Sequence, residues 1–198
     1  MVKGSRRILQ VMAELPHPDF EMVRSPFQGE QIRLRAIGEQ DLPAINQMIW
    51  DREVSRHLSV IWPEPVTGTR AWWERQRSDP STASFAIETL AAELVGACSL
   101  EGIQASTRSA GLGIWIGRAY WDRGYGTDAV RTLCRFGFNE MHLQRIGLAV
   151  YETNPRGVRA YEKVGFKEEG RRRRAHFLDG RYVDVIVMGL LAEDLLEA

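Results

Sequence analysis

The stretch GIWIGRAYWDRGYGTDAV, Gly113 to Val130, carries the reading of the whole chain. An apolar, strand-like run ending at Ile116 passes through a short loop into a helix whose first turn is RGYGT. Gly124 and Gly126 permit positive φ and bring bare backbone close to a ligand, and the N–H groups up to Thr127 and Asp128 are donors that a helix start leaves unpaired. With Arg123 they form a cradle suited to a diphosphate. A helix end alone favours an anion by only ~0.3–2 kcal/mol, so several N–H groups and Arg123 must act jointly. From these residues alone, a plain strand-to-helix turn explains the two glycines equally well. Two other phosphate patterns are excluded. GxxxxGK followed by Ser or Thr is absent, and Gly111, Gly113 and Gly117 lie along a strand, one residue too widely spaced for a dinucleotide fingerprint.

Periodicity organises the chain on both sides of this stretch. From Gln31 to Ile37, apolar Ile32, Leu34 and Ala36 alternate with Gln31, Arg33 and Arg35, the period of a half-buried strand. Leu42, Ile45 and Ile49 recur at helical spacing, and a second helix is predicted from near Thr67 or Thr69, carrying Trp72, Trp73 and Arg77. Ser84 to Glu88, Leu94 to Leu100 and Ala110 to Ile116 are β-rich runs that read as an antiparallel meander. Between Thr127 and Met141, the residues Val130, Leu133, Cys134, Gly137, Phe138 and Met141 share one helical face. Ile146, Leu148 and Val150 then alternate as a strand. A short helix opens at Pro155 and ends before Gly165. Asp179 and Gly180 turn a final hairpin whose return strand runs from Tyr182 to Leu191. This order predicts one α/β domain, residues 30–198, with a mixed, mainly antiparallel central sheet flanked by helices. Residues 1–29 place Pro16, Pro18 and Pro26 among charges and read as an N-terminal arm or added element.

Lys plus Arg and Asp plus Glu each number 26, so no net field draws the chain to nucleic acid or to an anionic membrane. The run Arg171 to Arg174 lacks interleaved aromatics, and on a strand alternate arginines face opposite sides. It reads as a solvated hairpin or the rim of a site for an acidic ligand. Cys98 and Cys134 are far apart and outside any CxxC pair, which argues against zinc and against a disulfide framework and fits a reducing cytoplasm. No stretch approaches the ~20 apolar residues of a membrane span. A cytoplasmic protein with neither metal nor membrane partner is expected.

The loop and two later segments together resemble the GNAT superfamily of N-acetyltransferases. The family's loop pattern is Gln or Arg, two residues, Gly, one residue, then Gly or Ala; it aligns with Trp121, Asp122, Arg123, Gly124, Tyr125 and Gly126. Trp121 departs from it in a way similar to the branch of ribosomal-protein N-terminal acetyltransferases and spermidine acetyltransferases. YETNPRGVRAYEKVGFKEEG, Tyr151 to Gly170, resembles the family's second motif, and DGRYVDVIVMGLL, Asp179 to Leu191, resembles that branch's final hairpin. The likeness runs from about Gln31 to the end. It implies a GNAT-like acyl-CoA N-acyltransferase fold, acetyl-CoA as cosubstrate, an amine acceptor, and a homodimer as one possible assembly.

The resemblance also implies roles. The strands ending at Ile116 and Tyr151 would splay apart, and the backbone of Ile114, Trp115 and Ile116 would receive the pantetheine arm as an added strand while an N–H polarises the thioester carbonyl. Arg123, Gly124, Tyr125, Gly126 and Thr127 would hold the diphosphate. Asn154 would bond the arm from the other side, cap the helix at Pro155, or do both. Tyr161 would stand near the sulfur, where a phenol of pKa ~10 stays protonated and can donate to a thiolate of pKa ~8.5; its alternative is a core aromatic. The strand Glu of some family members aligns with Ala149. That leaves the base open between Glu101, Glu152 and a water chain ending on backbone carbonyls. An acceptor cleft walled by Trp50, His57, Trp62, Trp72, Phe177 and Tyr182, interleaved with Glu53, Glu64 and Asp184, would favour a cation, although each aromatic taken singly also reads as core. Two functions follow: an enzyme acetylating a primary amine (peptide or protein N-terminus, polyamine or amino acid), or an acyl-CoA-binding sensor that has lost transfer.

Overall fold

The alternating segments assemble into one seven-stranded sheet in the computed structural model, which describes residues 25–58 and 62–197. In chain order the strands are β1 (Ile32–Arg35), β2 (Ala83–Thr89), β3 (Leu94–Gln104), β4 (Ser109–Ile116), β5 (Arg145–Tyr151), β6 (Lys167–Leu178) and β7 (Arg181–Leu191). Across the sheet they run β1, β2, β3, β4, β5, β7, β6, and every neighbouring pair is antiparallel except β4 with β5. The helices are α1 (Leu42–Ile49), α2 (Arg52–Ser55), α3 (Val66–Ser78), α4 (Tyr125–Asn139) and α5 (Pro155–Glu162). The single turn of α2 lies outside the sequence expectation. Asp51 nucleates it by accepting from the Glu53 N–H at 2.9 Å.

Helices cover both faces. On one, α4 buries Val130, Leu133, Cys134 and Phe138 against Leu100, Ile146 and Met188, forming the larger core. On the other, Ile37, Leu42, Ile45, Ala86 and Ala97 make a smaller cluster against which Trp72 and Trp73 pack. Trp72 is therefore a half-buried core contact of α3, because the helix needs an apolar face toward the sheet. Cys98 and Cys134 are buried free thiols, both pushed up by burial, and belong to the packing.

The residues just before β1 pack onto the domain. Phe27 stacks in a cluster with Phe85 and Phe136, at ring separations of 5.7 and 4.8 Å, and the Gly29 N–H donates to the Ile32 carbonyl at 2.9 Å. Residues 1–24 of the predicted arm lie outside the described residues. The buried carboxylate of Asp128, in the first turn of α4, then fastens β1. It accepts from the backbone N–H groups of Glu30 at 3.1 Å, Gln31 at 2.7 Å and Ile32 at 3.1 Å. At the other edge, β6 does not follow simple alternation through its arginines. The ladder shifts between Glu168 and Gly170 and between Arg172 and His176, Arg174 has φ 52°, and Arg171 to Arg174 are all exposed. Such bulges twist an edge strand away from further pairing. No helix among the described residues is long and apolar enough to cross a membrane.

Candidate active site

β4 and β5 pair at only three positions, Ser109 with Arg145, Ala110 with Ile146 and Gly111 with Gly147. Beyond Gly111 they part, each still held on its outer side, β4 by β3 and β5 by β7. The split leaves main-chain groups facing a gap, and the register decides which. The Gly117 N–H donates to the Val95 carbonyl, so by the two-residue period Trp115, opposite Ala97, also turns its N–H and C=O toward β3. Ile114 and Ile116 turn theirs toward the gap. The Ile116 carbonyl is already engaged, accepting from the Trp121 indole N–H at 2.8 Å. Of the three residues expected to form the added-strand edge, Ile114 and the Ile116 N–H offer main-chain groups, whereas Trp115 turns its main chain to β3 and packs against the smaller core cluster.

The gap opens onto the start of α4. Gly124 has φ 86° and precedes the helix without any side-chain cap, and the first intrahelical bond runs from the Asp128 N–H to the Gly124 carbonyl. The N–H groups of Tyr125, Gly126 and Thr127 thus lack intrahelical acceptors. A cavity of about 310 Å³ lies in front of them. Strand β4, the loop and α4 supply one wall, with Ile114, Ile116, Gly124, Tyr125, Gly126 and Thr127; α5 supplies the other, with Asn154, Arg156, Arg159, Tyr161 and Lys163. Arg123, expected in the cradle, does not line it; its guanidinium lies 5.9 Å from the ring centre of Tyr120.

Asn154 caps α5 by accepting from the Gly157 N–H at 3.0 Å, which engages only the carbonyl oxygen and leaves the amide N–H groups to offer. Tyr161 is half-buried, and burial alone pushes its phenol up to about 12. Trp121, the departure from the loop pattern, bridges the two walls: its indole is fixed to Ile116, and the Arg156 guanidinium lies over its ring at 3.3 Å.

The family model for the acetyltransferase (GNAT) domain matches residues 31–167. The chain belongs to the GNAT acetyltransferase family. It is similar to the spermidine N(1)-acetyltransferase of Vibrio cholerae, 28% identical over 171 residues that cover 85% of this chain and 97% of that protein. The prophage-derived N-acetyltransferase YokL of Bacillus subtilis is 28% identical over 167 residues, covering 84% and 93%. The crystal structure of the Vibrio cholerae spermidine N-acetyltransferase with CoA and spermine superposes with a TM-score of 0.78 at 27% identity, covering 83% of this chain and 97% of that one. This GNAT protein is an acetyl-CoA-dependent acetyltransferase that resembles the branch of spermidine and ribosomal acetyltransferases.

Other residues singled out in the sequence of this acetyltransferase fall away from the cavity. Glu101 is exposed, accepts from the Ser99 hydroxyl at 2.7 Å and lines a separate hollow with Arg75, Gln76 and Asp79. Glu152 accepts from the Asp184 N–H at 3.0 Å. Among the described residues Asp122 is the one carboxylate lining the main cavity. On the acceptor side, Phe177 and Tyr182 meet edge to face at 5.2 Å on the exposed hairpin, and Trp62 is exposed. His57 is held below its ordinary value by burial, then by the charges of Arg56 and Arg156, so it stays a neutral imidazole at pH 7. Its Nδ1 is buried without a partner among the described residues, as are Trp50 Nε1, Arg56 Nε and Thr153 Oγ1.

Gly126 tests the cavity directly. A Cβ built there meets only Ile116 Cγ1 at 3.6 Å, an ordinary contact, and the backbone needs no positive φ. Gly126→Val is therefore expected to fold, with stability within ~1 kcal/mol of the parent. Its side chain would occupy space in front of the helix donors. Calorimetric titration should show coenzyme A binding weakened about tenfold or more, ~1.4 kcal/mol. Unchanged affinity in the folded variant would mean that the loop is only a turn.

Proposed function

We propose that this acetyltransferase acts on the α-amine of a peptide or protein N-terminus, ahead of a polyamine or a free amino acid. The observation that carries the preference is the state of the acids on the acceptor side. Glu53 pairs with Arg56 at 3.6 Å and Asp179 is held by Arg52 and Arg56; Asp184 accepts from the backbone N–H of Arg174 at 2.8 Å, and Glu64 alone of these acids makes no polar side-chain contact among the described residues. A polyamine carries several positive charges and gains most from carboxylates not already paired to arginine. A peptide presents one amine on an otherwise neutral backbone.

Acetyl-CoA supplies an activated acetyl thioester. In the proposed reaction the acceptor nitrogen, entering unprotonated, attacks the carbonyl carbon, the C–S bond breaks, and Tyr161 gives its phenolic proton to the departing sulfur. The proton lost by the acceptor nitrogen passes through water and restores Tyr161. The Ile116 N–H, or that of Ile114, is suited to polarise the carbonyl oxygen. Asn154 positions the arm from the opposite wall through its amide. Among the described residues Asp122 alone supplies a carboxylate to this cavity, and it belongs to the phosphate loop, so the acceptor loses its first proton to solvent before entry.

A thiol-release assay over N-terminal peptides, spermidine, free amino acids and aminoglycosides tests the assignment. Peptides are expected to exceed spermidine in kcat/KM by about tenfold, the ratio that ~1.4 kcal/mol of differential binding produces. A preference for spermidine would overturn the peptide assignment, and reaction with hydroxyl acceptors only would overturn amine transfer.

A further inference from the structure

We propose that Arg156, backed by Arg159 and Lys163, grips the phosphates of the cofactor from α5, facing the N–H groups that open α4. The inference rests on the assignment of the cavity to acetyl-CoA. The three cations recur at i, i+3 and i+7, one stripe of the helix and its C-cap, and all three line the cavity. Among the described residues none of their side chains has a carboxylate partner, whereas Arg33, Arg35, Arg52, Arg56, Arg145 and Arg171 all do. Asp122, the one acid in the lining among the described residues, makes no ion pair with them, although its charge and that of Glu53 favour the charged form of Arg156.

Arg156 is also pre-set in orientation. Its guanidinium lies 3.3 Å from the ring centre of Trp121, whose own indole N–H is tied to Ile116 at 2.8 Å. Stacking covers the planar face of the guanidinium and leaves its edge donors to a ligand in the ring plane. Burial is the main influence on this group and works against its charge. A partly desolvated cation with acids near but none in ion-pair contact is costly to maintain, and a bound anion would complete it. Coenzyme A carries its phosphates at one end and none along the pantetheine arm. That end meets the helix donors of Tyr125, Gly126 and Thr127 on one wall and these cations on the other, while the arm runs toward the split between β4 and β5.

The competing explanation is that the Arg156–Trp121 stack only ties the loop to α5. Pantetheine and its S-acetyl ester separate the two, because they keep the arm and the thioester but lack every phosphate. In calorimetric titrations without acceptor, Arg156→Ala is expected to bind coenzyme A at least tenfold more weakly and pantetheine unchanged. In the presence of acceptor, kcat/KM should fall for acetyl-CoA and not for S-acetyl-pantetheine. Arg156→Lys should recover only part of the loss, since an ammonium cannot reproduce the stacked fork. The double change Arg159→Ala with Lys163→Ala should lower coenzyme A affinity by a smaller factor. Equal losses for both ligands would reduce the stack to scaffolding, and no loss for either would remove Arg156 from the site. Native protein that binds coenzyme A far more tightly than pantetheine, through Arg156, yet acetylates no amine would overturn the proposed acceptor chemistry and leave this inference standing.

Discussion

Tyr161→Phe is expected to lower turnover by about 10²- to 10⁴-fold, the range over which a positioned proton donor contributes, with a much smaller change in affinity for acetyl-CoA. The substitution removes one hydroxyl and keeps the ring, which packs 5.8 Å from Phe166 between α5 and the core. Binding of the cofactor relies on other groups, so the loss should appear in kcat. Equal turnover at neutral pH in a folded variant would end the assignment.

The pH profile gives a second reading. Burial pushes the Tyr161 phenol up to about 12, so the proton it donates is present throughout the neutral and mildly alkaline range. The same desolvation disfavours a departing thiolate, which keeps the sulfur basic enough to accept that proton. The native enzyme should therefore show a rising limb, as the acceptor amine loses its proton, and no falling limb attributable to Tyr161 below about pH 12. A falling limb near pH 8 to 9 that vanished in Tyr161→Phe would place the phenol in a quite different environment.

The cavity was legible in the sequence to the extent that its parts are local. A glycine before an uncapped helix and a Pro-initiated helix after Asn154 are short-range patterns, and both stand where those patterns put them. Trp115 shows what local pattern cannot reach. Whether its main chain faces the gap depends on the parity of its pairing with Ala97, which strand propensity does not encode. Arg156 escaped notice because a cation in the first turn of a short helix reads as solvated. The spacing of Arg156, Arg159 and Lys163 on one stripe was the available signal. The α2 turn is too short to show a period, and the partners of its arginines lie on the far hairpin, more than 120 residues away. Glu101 was plausible as a strand-end acid, but β3 continues past it to Gln104, and Glu101 lines a hollow separate from the main cavity.

Asp128 escaped the sequence reading too, and replacing it should produce the largest loss of stability. An acid in the first turn of a helix looks like a surface charge favoured by the helix dipole. Here it is 4% exposed and satisfies three main-chain N–H groups from a segment nearly a hundred residues earlier. Asp128→Ala leaves the Ile32 N–H unpaired in the interior at ~1–3 kcal/mol and removes the acceptor of the Glu30 and Gln31 N–H groups, which sit on exposed residues and add smaller losses, a total of several kcal/mol set against a domain's ~5–15 kcal/mol. Asp128→Asn is milder. Its carbonyl can take the place of Oδ2, which serves Gln31 and Ile32, while the amide group replaces Oδ1 and abandons the Glu30 N–H. The expected loss is then about 1 kcal/mol, since Glu30 is exposed to water. Because Asp128 follows Thr127 directly, release of β1 should also loosen the start of α4 and weaken coenzyme A binding in proportion. Urea unfolding of the two variants beside the native chain is the measurement, and the order native, Asn, Ala is the expected result. Stabilities for both within about 0.5 kcal/mol of native, the scatter of ordinary surface substitutions, would show that β1 is fastened by other contacts.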